Sequence, residues 1–149
     1  MKTKAINEMA LEFPSRSSNE GLARSVAACF AAQMDPTLNE LEDIKTAVSE
    51  AVTNAIVHGY PDSIGKVQIK LRIYEGNVLE LMIKDHGRGI PDVNKAREPM
   101  FTTGGEERSG MGFTIMESFM DKLSVRSVPG RGTSVSMKKK LAPRVKSAR

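Results

Sequence analysis

A carboxylate and an amide stand four residues apart in the stretch SEAVTNAIVHG, residues 49–59. Positions i and i+4 of a helix lie on one face a turn apart, so Glu50 and Asn54 can meet the same bound group. On a helical wheel they flank the apolar stripe, and polar groups at the edge of a buried stripe need partners. The alternative is a polar shoulder that faces water.

A second stretch, IKDHGRGIPD, places Asp85 at the end of a predicted strand, with Gly87 and Gly89 close behind. A carboxylate there can accept a hydrogen bond from an exocyclic amine such as N6 of adenine. Two glycines let the backbone approach a flat ligand closely. The alternative is an ordinary glycine turn.

The third stretch, TTGGEERSGMGF, is polar, contains Gly104, Gly105, Gly110 and Gly112, and runs into a predicted helix. Free N–H groups at a helix N-terminus bind phosphate, and the planar guanidinium of Arg108 can pair with a terminal phosphate. The alternative is a mobile surface loop.

The fourth stretch, PGRGTSVSM, places Thr133 just after Gly132 at the start of a strand. Its hydroxyl can reach a base or a water bound to the base. Alone, this stretch is also compatible with a simple hairpin turn.

The elements that position these stretches are predicted from periodicity and turn residues. Asn19 is the predicted N-cap of the first helix, whose apolar stripe is Leu22, Val26, Cys29 and Phe30, so Cys29 is expected to be buried.

The predicted order is strand 9–13, helices 19–33 and 38–58, hairpin 67–74 and 78–84, short helix 92–97, loop 98–110, helix 111–120, and strands 123–128 and 133–140. This order predicts an α+β two-layer sandwich, with helices on one face of a mixed, mainly antiparallel sheet.

Taken in order, the four stretches resemble the four boxes of the GHKL ATPase/kinase superfamily, whose fold is the Bergerat ATP-binding sandwich. Within it, SEAVTNAIVHGY and ERSGMGFTIMESFMD are similar to the anti-sigma F factor serine kinases of spore-forming bacilli. This resemblance implies an ATP-dependent serine/threonine-protein kinase that inhibits a sporulation sigma factor, sigma F. It also implies that the kinase phosphorylates a serine of the anti-anti-sigma protein that opposes it.

The resemblance also implies a role for each matching residue. Glu50 would be the general base, Asn54 would coordinate Mg²⁺, and Asp85 would bind the adenine of ATP or ADP. The remaining nucleotide contacts would come from Gly87, Gly89, Thr102, Thr103, Arg108, Gly110, Met111, Gly112 and Thr133. Relatives often carry a basic residue after the position of Thr103, where this chain has two glycines, so the side chain that holds the terminal phosphate stays open.

Arg24 is the predicted partner-binding residue. It follows Leu22 by two positions, about 200° around the helix, and is therefore expected to face solvent or a partner. The functional hypothesis is that it anchors the sigma factor or the competing anti-anti-sigma protein; the alternative is a solvated arginine. A homodimer is also expected, formed through the first strand and helix.

Two other functions remain open: a general-stress anti-sigma kinase, and a nucleotide-gated binding protein without kinase activity. The catalytic domain of a two-component histidine kinase is disfavoured, because it would need a phosphoacceptor histidine on a separate helix. The only two histidines, His58 and His86, both fall inside the stretches above.

Charge and composition predict a single domain over residues 1–140 and a basic, flexible tail over 141–149. The chain has a net charge of +4, but removing the six basic residues of 138–149 from its 22 leaves 16 basic against 18 acidic residues. A nucleic-acid-binding face on the domain is therefore not expected. No signal-type or bilayer-length apolar run is present, so a cytoplasmic protein that does not contact the membrane is expected.

Overall fold

The computed structural model describes residues 4–98 and 112–143. The strands are β1 (Asn7–Pro14), β2 (Lys66–Tyr74), β3 (Val78–Asp85), β4 (Lys122–Val128) and β5 (Gly132–Lys140). The helices are α1 (Asn19–Ala31), α2 (Leu38–Asn54), α3 (Val93–Ala96) and α4 (Gly112–Phe119). A 3₁₀ turn (Ala32–Met34) follows α1, and a π-helical turn (Ala55–Gly59) follows α2.

The five strands form one sheet in the order β1-β2-β3-β5-β4. Each strand pairing between described residues is antiparallel, so the parallel pairing of the predicted mixed sheet does not occur there. The reason is the last hairpin. Its second strand, β5, inserts between β3 and β4, and β3 therefore never pairs with β4, which runs in the same direction.

The core lies on one face of the sheet, as predicted for a two-layer sandwich. Side chains alternate across a strand, and here one set is buried beneath the helices while the other faces outward. The buried apolar side chains of the strands are Phe13, Val67, Ile69, Leu71, Ile73, Leu79, Leu81, Ile83, Val135 and Met137. The α+β architecture predicted from the sequence is confirmed.

Helix α2 packs between α1 and α4, and its buried residues are Ile44, Ala47, Val48, Ala51 and Val52. Its start is fixed by a reciprocal cap: the backbone N–H of Glu40 donates to Thr37 Oγ1 over 3.0 Å, and the N–H of Thr37 donates to Glu40 Oε1 over 2.8 Å. Such a capping box satisfies two of the donors that every helix start leaves open. The start of α2 and its buried face are thereby fixed together.

The predicted stripe of α1 is wrong in part. The helix buries Ala23, Ala27, Phe30 and Ala31, whereas Leu22 and Cys29 are exposed. Its cap is Ser18, without a side-chain bond, and Asn19 instead donates to the carbonyl of Pro14. The larger side chains favour the predicted stripe, but α1 packs against α2 with its alanines buried, and their small size permits a close contact.

Packing continues past the predicted domain boundary at residue 140. Leu141 is buried, and its backbone N–H donates to the carbonyl of Asn77 over 2.8 Å. The N–H of Ala142 donates to Glu40 Oε2 over 2.8 Å. The start of the predicted tail is therefore tied to the domain. Within 4–98 and 112–143, none of the helices has both the length and the apolar character that a bilayer crossing needs.

Candidate functional site

The C-terminal end of α2 carries the first pair of predicted site residues. Glu50 and Asn54 are both half-buried and lie beside Gly112, the first residue of α4. A β-carbon at Gly112 would lie 3.0 Å from Asn54 Nδ2 and 3.4 Å from Glu50 Oε2. Only a residue without a side chain leaves this space open. The carboxylate, the amide and the start of a helix therefore meet at one point.

Asp85 is buried at the end of β3, with 5% of its surface exposed. Its Oδ1 accepts a hydrogen bond from the backbone N–H of Gly87 over 2.9 Å. Burial raises the pKa of the Asp85 carboxyl above its ordinary value, and backbone hydrogen bonds from Gly87 and Thr133 lower it by a smaller amount. A buried carboxylate with few donors around it is suited to accept a hydrogen bond from a ligand.

Three glycines bring the backbone against Asp85 and its neighbours. A β-carbon at Gly59 would lie 2.9 Å from the Asp85 carboxyl carbon, and one at Gly132 would lie 2.1 Å from the Asp85 carbonyl oxygen. At Gly87 it would lie 2.0 Å from the carbonyl oxygen of Gly59. These contacts join the end of α2, the β3 end and the β4–β5 turn. A side chain at any of the three would push this part of the site apart.

Gly89 and Thr133 lie beside these residues. The surface formed by Asp85, Gly59, Gly87, Gly89, Gly132 and Thr133 is called the wall below. Gly89 has a φ of 77°, a backbone conformation that favours glycine. A β-carbon there would also lie 2.4 Å from the Val128 carbonyl oxygen, so the available space requires glycine as well. Thr133 pairs with Asp85 across β3 and β5, and its Oγ1 lies 2.9 Å from Ser127 Oγ. The structure thus places Asp85, Gly87, Gly89 and Thr133 in one region, although they come from two distant stretches.

Sequence reasoning missed Gly59 and Arg88, which fasten this wall to α2. The backbone N–H of Arg88 donates to the carbonyl of Gly59, and its Nε donates to the carbonyl of His58, each over 2.9 Å. Basic side chains commonly cap the last carbonyls of a helix in this way. The π-helical turn that presents these carbonyls is a feature often found at functional sites. A glycine directly after a predicted helix indicates only a helix stop, so the sequence gives no signal for the contact of Gly59 with Asp85.

The predicted lid and phosphate residues Thr102, Thr103, Arg108, Gly110 and Met111 lie outside the described residues. Arg24 lies on α1. Its Nη1 is 3.7 Å from Glu20 Oε1, and its side chain is 43% exposed. Arg24 does reach solvent as expected, but it lies beside the true buried stripe, only about 100° from Ala23.

The donor set fits a purine nucleotide bound with Mg²⁺. Asp85 offers a buried acceptor for an exocyclic amine, and the space that Gly112 leaves open is lined by the Asn54 amide and the Glu50 carboxylate. Within residues 4–98 and 112–143, no group of three or more His, Cys, Asp or Glu side chains is placed to hold a metal ion. A site with one amide still suits Mg²⁺, because this ion keeps several waters and takes further oxygens from phosphates.

Residues 13–139 match the model of a family described as the histidine kinase-like ATPase domain. The anti-sigma F factor of Thermoanaerobacter sp. (strain X514) is 57% identical over 134 residues, which cover 89% of this chain and 93% of that protein. The anti-sigma F factor of Bacillus subtilis (strain 168) is 54% identical over 138 residues, covering 91% of this chain and 94% of that protein.

Two solved structures share the fold. The crystal structure of the RsbU and RsbW domains of a Mycobacterium tuberculosis protein aligns with a TM-score of 0.70 at 15% identity, covering 96% of this chain and 35% of that one. The blue-light activated histidine kinase of Erythrobacter litoralis EL346 aligns with a TM-score of 0.58 at 27% identity, covering 72% of this chain and 32% of that one. The family match over residues 13–139 and the relatives at 54–57% identity show that the chain belongs to the histidine kinase-like ATPase domain family and, within it, to the anti-sigma F factors.

Proposed function

We propose that this protein binds and inhibits a sporulation sigma factor, sigma F, and that it uses ATP to phosphorylate a serine of the anti-anti-sigma protein that opposes it. A histidine kinase-like ATPase domain binds nucleotide. The observation that carries the kinase proposal is the position of the Glu50 carboxylate, beside Asn54 and the open space at Gly112. A protein that only binds nucleotide has no need of a carboxylate there.

In the proposed reaction, Asp85 accepts a hydrogen bond from adenine N6 and thereby orients the nucleotide. Glu50 takes the proton from the Oγ of the incoming serine. That oxygen forms a bond to the γ-phosphorus, the bond from the γ-phosphorus to the β–γ bridging oxygen breaks, and ADP leaves. Mg²⁺ held by the Asn54 oxygen would neutralise phosphate charge, and positioning with electrostatics would supply most of the acceleration.

The proposal extends to the residues that the structure leaves outside its described part. Backbone N–H groups of Gly110, Met111 and Gly112 would hold phosphate at the start of α4. Thr102, Thr103 and Arg108 would close over it as a lid. The planar guanidinium of Arg108 is suited to two parallel hydrogen bonds with a phosphate.

Arg24 is the proposed anchor for the sigma factor and for its competitor. Its side chain is partly exposed and is held by one ion pair to Glu20. A homodimer is also proposed, through α1 and β1. Support comes from the exposed Leu22 and Cys29 on α1 and from β1, which pairs with β2 and is an edge strand of the sheet. The proposal implies a cytoplasmic protein, because transcription takes place there.

The direct test is to incubate the purified protein with labelled ATP, Mg²⁺ and an anti-anti-sigma protein, and to identify the phosphorylated residue by mass spectrometry. The proposal expects phosphoserine on the partner and release of the sigma factor from a preformed complex. Nucleotide-dependent sigma-factor binding without transfer of phosphate would instead favour the nucleotide-gated binding protein. Transfer only to general-stress partners would favour a general-stress anti-sigma kinase.

A further inference from the structure

Tyr60 follows the π-helical turn directly and connects α2 to the end of β3. Its phenolic oxygen lies 2.7 Å from the backbone nitrogen of His86, whose N–H donates to it. The same hydroxyl donates to the carbonyl of Lys66 over 2.6 Å. One side chain therefore bridges the first residue of β2 and the residue that follows Asp85.

The ring of Tyr60 is held in place by a second layer. A β-carbon at Gly65 would lie 2.1 Å from Tyr60 Cε1, so the ring lies directly over a glycine. Gly65 is in turn fixed by Ser15, which is buried. The N–H of Gly65 donates to Ser15 Oγ over 2.9 Å, and the N–H of Ser15 donates to the Gly65 carbonyl over 2.8 Å. The hydroxyl of Tyr60 thus has little freedom to move away from His86.

Three successive backbone N–H groups after Asp85 each have a fixed partner. His86 donates to Tyr60 Oη, Gly87 to Asp85 Oδ1, and Arg88 to the carbonyl of Gly59. Residues 59 and 60 supply the outer two of these bonds. The middle bond orients the carboxylate itself. The His86 N–H belongs to the Asp85–His86 peptide. Rotation of that peptide would move the next one, change the direction of the Gly87 N–H, and with it the position of Asp85 Oδ1.

We propose that Tyr60 is a positioning residue for nucleotide base recognition, because its hydroxyl fixes the His86–Gly87 backbone that holds the Asp85 carboxylate. The inference rests on the proposed role of Asp85 in binding adenine. Tyr60 itself touches neither the base nor the phosphates in this role. It selects for a base with an exocyclic amine by keeping the acceptor oxygen in a constant direction.

The test uses Tyr60→Phe, which keeps the ring over Gly65 and removes only the hydroxyl. Affinity is measured by calorimetry for ATP and, by competition, for inosine triphosphate, which has a carbonyl in place of the N6 amine. Loss of one positioned hydrogen bond predicts ATP binding weakened by about 5–10-fold. Inosine triphosphate, which lacks the N6 donor that Asp85 is proposed to recognise, should change by less than about 2-fold, so the preference for ATP falls.

Tyr74→Phe is the matched control. The Tyr74 hydroxyl also makes a hydrogen bond, to Glu80 Oε1 over 3.1 Å, but it lies on the open face of the sheet. Its removal should leave the affinity for both nucleotides unchanged. Equal weakening of ATP and inosine triphosphate in Tyr60→Phe would overturn the inference and assign the hydroxyl a general structural role.

A double-mutant cycle separates this inference from the proposed function. If Tyr60 acts through Asp85, the loss in ATP affinity from Tyr60→Phe should largely disappear in an Asp85→Asn background. A loss that persists in full there overturns the inference. Normal ATP affinity in Asp85→Asn alone would instead overturn the proposed role of Asp85.

The wild-type protein offers a measurement that does not depend on a variant folding. Amide hydrogen exchange without nucleotide should show the His86 N–H protected by at least about 10-fold relative to an unstructured peptide, because it has a fixed acceptor. Exchange at the unstructured rate would show that the Tyr60–His86 bond does not persist in solution, and the inference would fail.

Discussion

The wall around Asp85 and the surface of α1 around Arg24 are built in opposite ways. Around Asp85, Gly59, Gly87 and Gly132 bring backbone into direct contact with backbone or with the carboxylate. On α1, Arg24 forms an ion pair of 3.7 Å with Glu20. A half-exposed ion pair of this kind contributes little to stability. The close contacts around Asp85 permit one backbone geometry, whereas the Arg24 side chain on α1 can change its conformation when a partner binds.

The fixed wall is suited to bind the nucleotide, and the surface of α1 around Arg24 is suited to bind a protein partner. Substitutions in the wall should change nucleotide binding or chemistry together with the fold around the site. Substitutions on α1 should change partner binding and leave the nucleotide unaffected.

Glu50→Gln should produce the largest effect. The amide keeps the shape beside Asn54 but cannot accept the serine proton, so the rate of phosphorylation should fall by about 10²–10⁴-fold while ATP affinity is retained. Single-turnover transfer of labelled phosphate measures the rate, and calorimetry measures the affinity. Glu42→Gln is the control: Glu42 lies on the same helix, is exposed and pairs with Lys45 over 3.3 Å. A wild-type rate in Glu50→Gln would remove Glu50 from the role of base.

Asp85→Asn should weaken ATP binding by about 2 kcal/mol or more, because an amide donor would face the N6 donor of adenine. This corresponds to roughly 30-fold in Kd. Calorimetry with ATP and Mg²⁺ provides the measurement. Asp62→Asn, at an exposed position, makes the same chemical change away from the site and should bind normally. Undiminished binding in Asp85→Asn would contradict the assignment of Asp85 to the base.

Arg24→Ala should weaken binding of the sigma factor and the anti-anti-sigma protein by roughly 1–3 kcal/mol, while ATP affinity stays constant. Arginine contributes strongly at interfaces because its planar group pairs with carboxylates through two bonds. Surface plasmon resonance with each partner gives the two affinities. Arg16→Ala, an exposed arginine before α1, is the control. If both partners bind Arg24→Ala as tightly as wild type, the interface lies elsewhere. If ATP affinity falls as well, the two regions are not independent.

The sequence predicts local features of the molecule and fails where a feature depends on contact between distant segments. Periodicity and turn residues predict every described helix and strand, and the Asp-x-Gly-x-Gly spacing predicts a close backbone approach at Gly87 and Gly89. The role of Gly59 could not be predicted, because its close contact is with Asp85, a residue 26 positions later. The stripe of α1 failed for a related reason. Alanines that pack closely against another helix carry too weak a hydrophobic signal to outweigh Leu22 and Cys29.

The smallest predicted effect concerns the stability of the nucleotide-free protein. Burial raises the pKa of Asp85 above its ordinary value of 3.8, so the folded protein takes up this proton at a higher pH than the unfolded chain does. Lowering the pH through the folded-state pKa therefore stabilises the fold, and this contribution is complete below about 3.8 and lost as the pH rises again. Each unit of difference between the two pKa values contributes about 1.4 kcal/mol.

The comparison with Asp85→Asn isolates this contribution, because every other titrating group is shared and the amide does not titrate. Urea unfolding of both proteins between neutral pH and about pH 4 gives the free energy of unfolding at each pH. The value for wild type minus the value for Asp85→Asn should rise as the pH falls. A difference that stays flat would mean that Asp85 is as well solvated in the folded protein as in the unfolded chain. Burial of the Asp85 carboxylate in the wall would then cost no free energy. The contrast with the surface of α1 around Arg24 would lose its electrostatic basis.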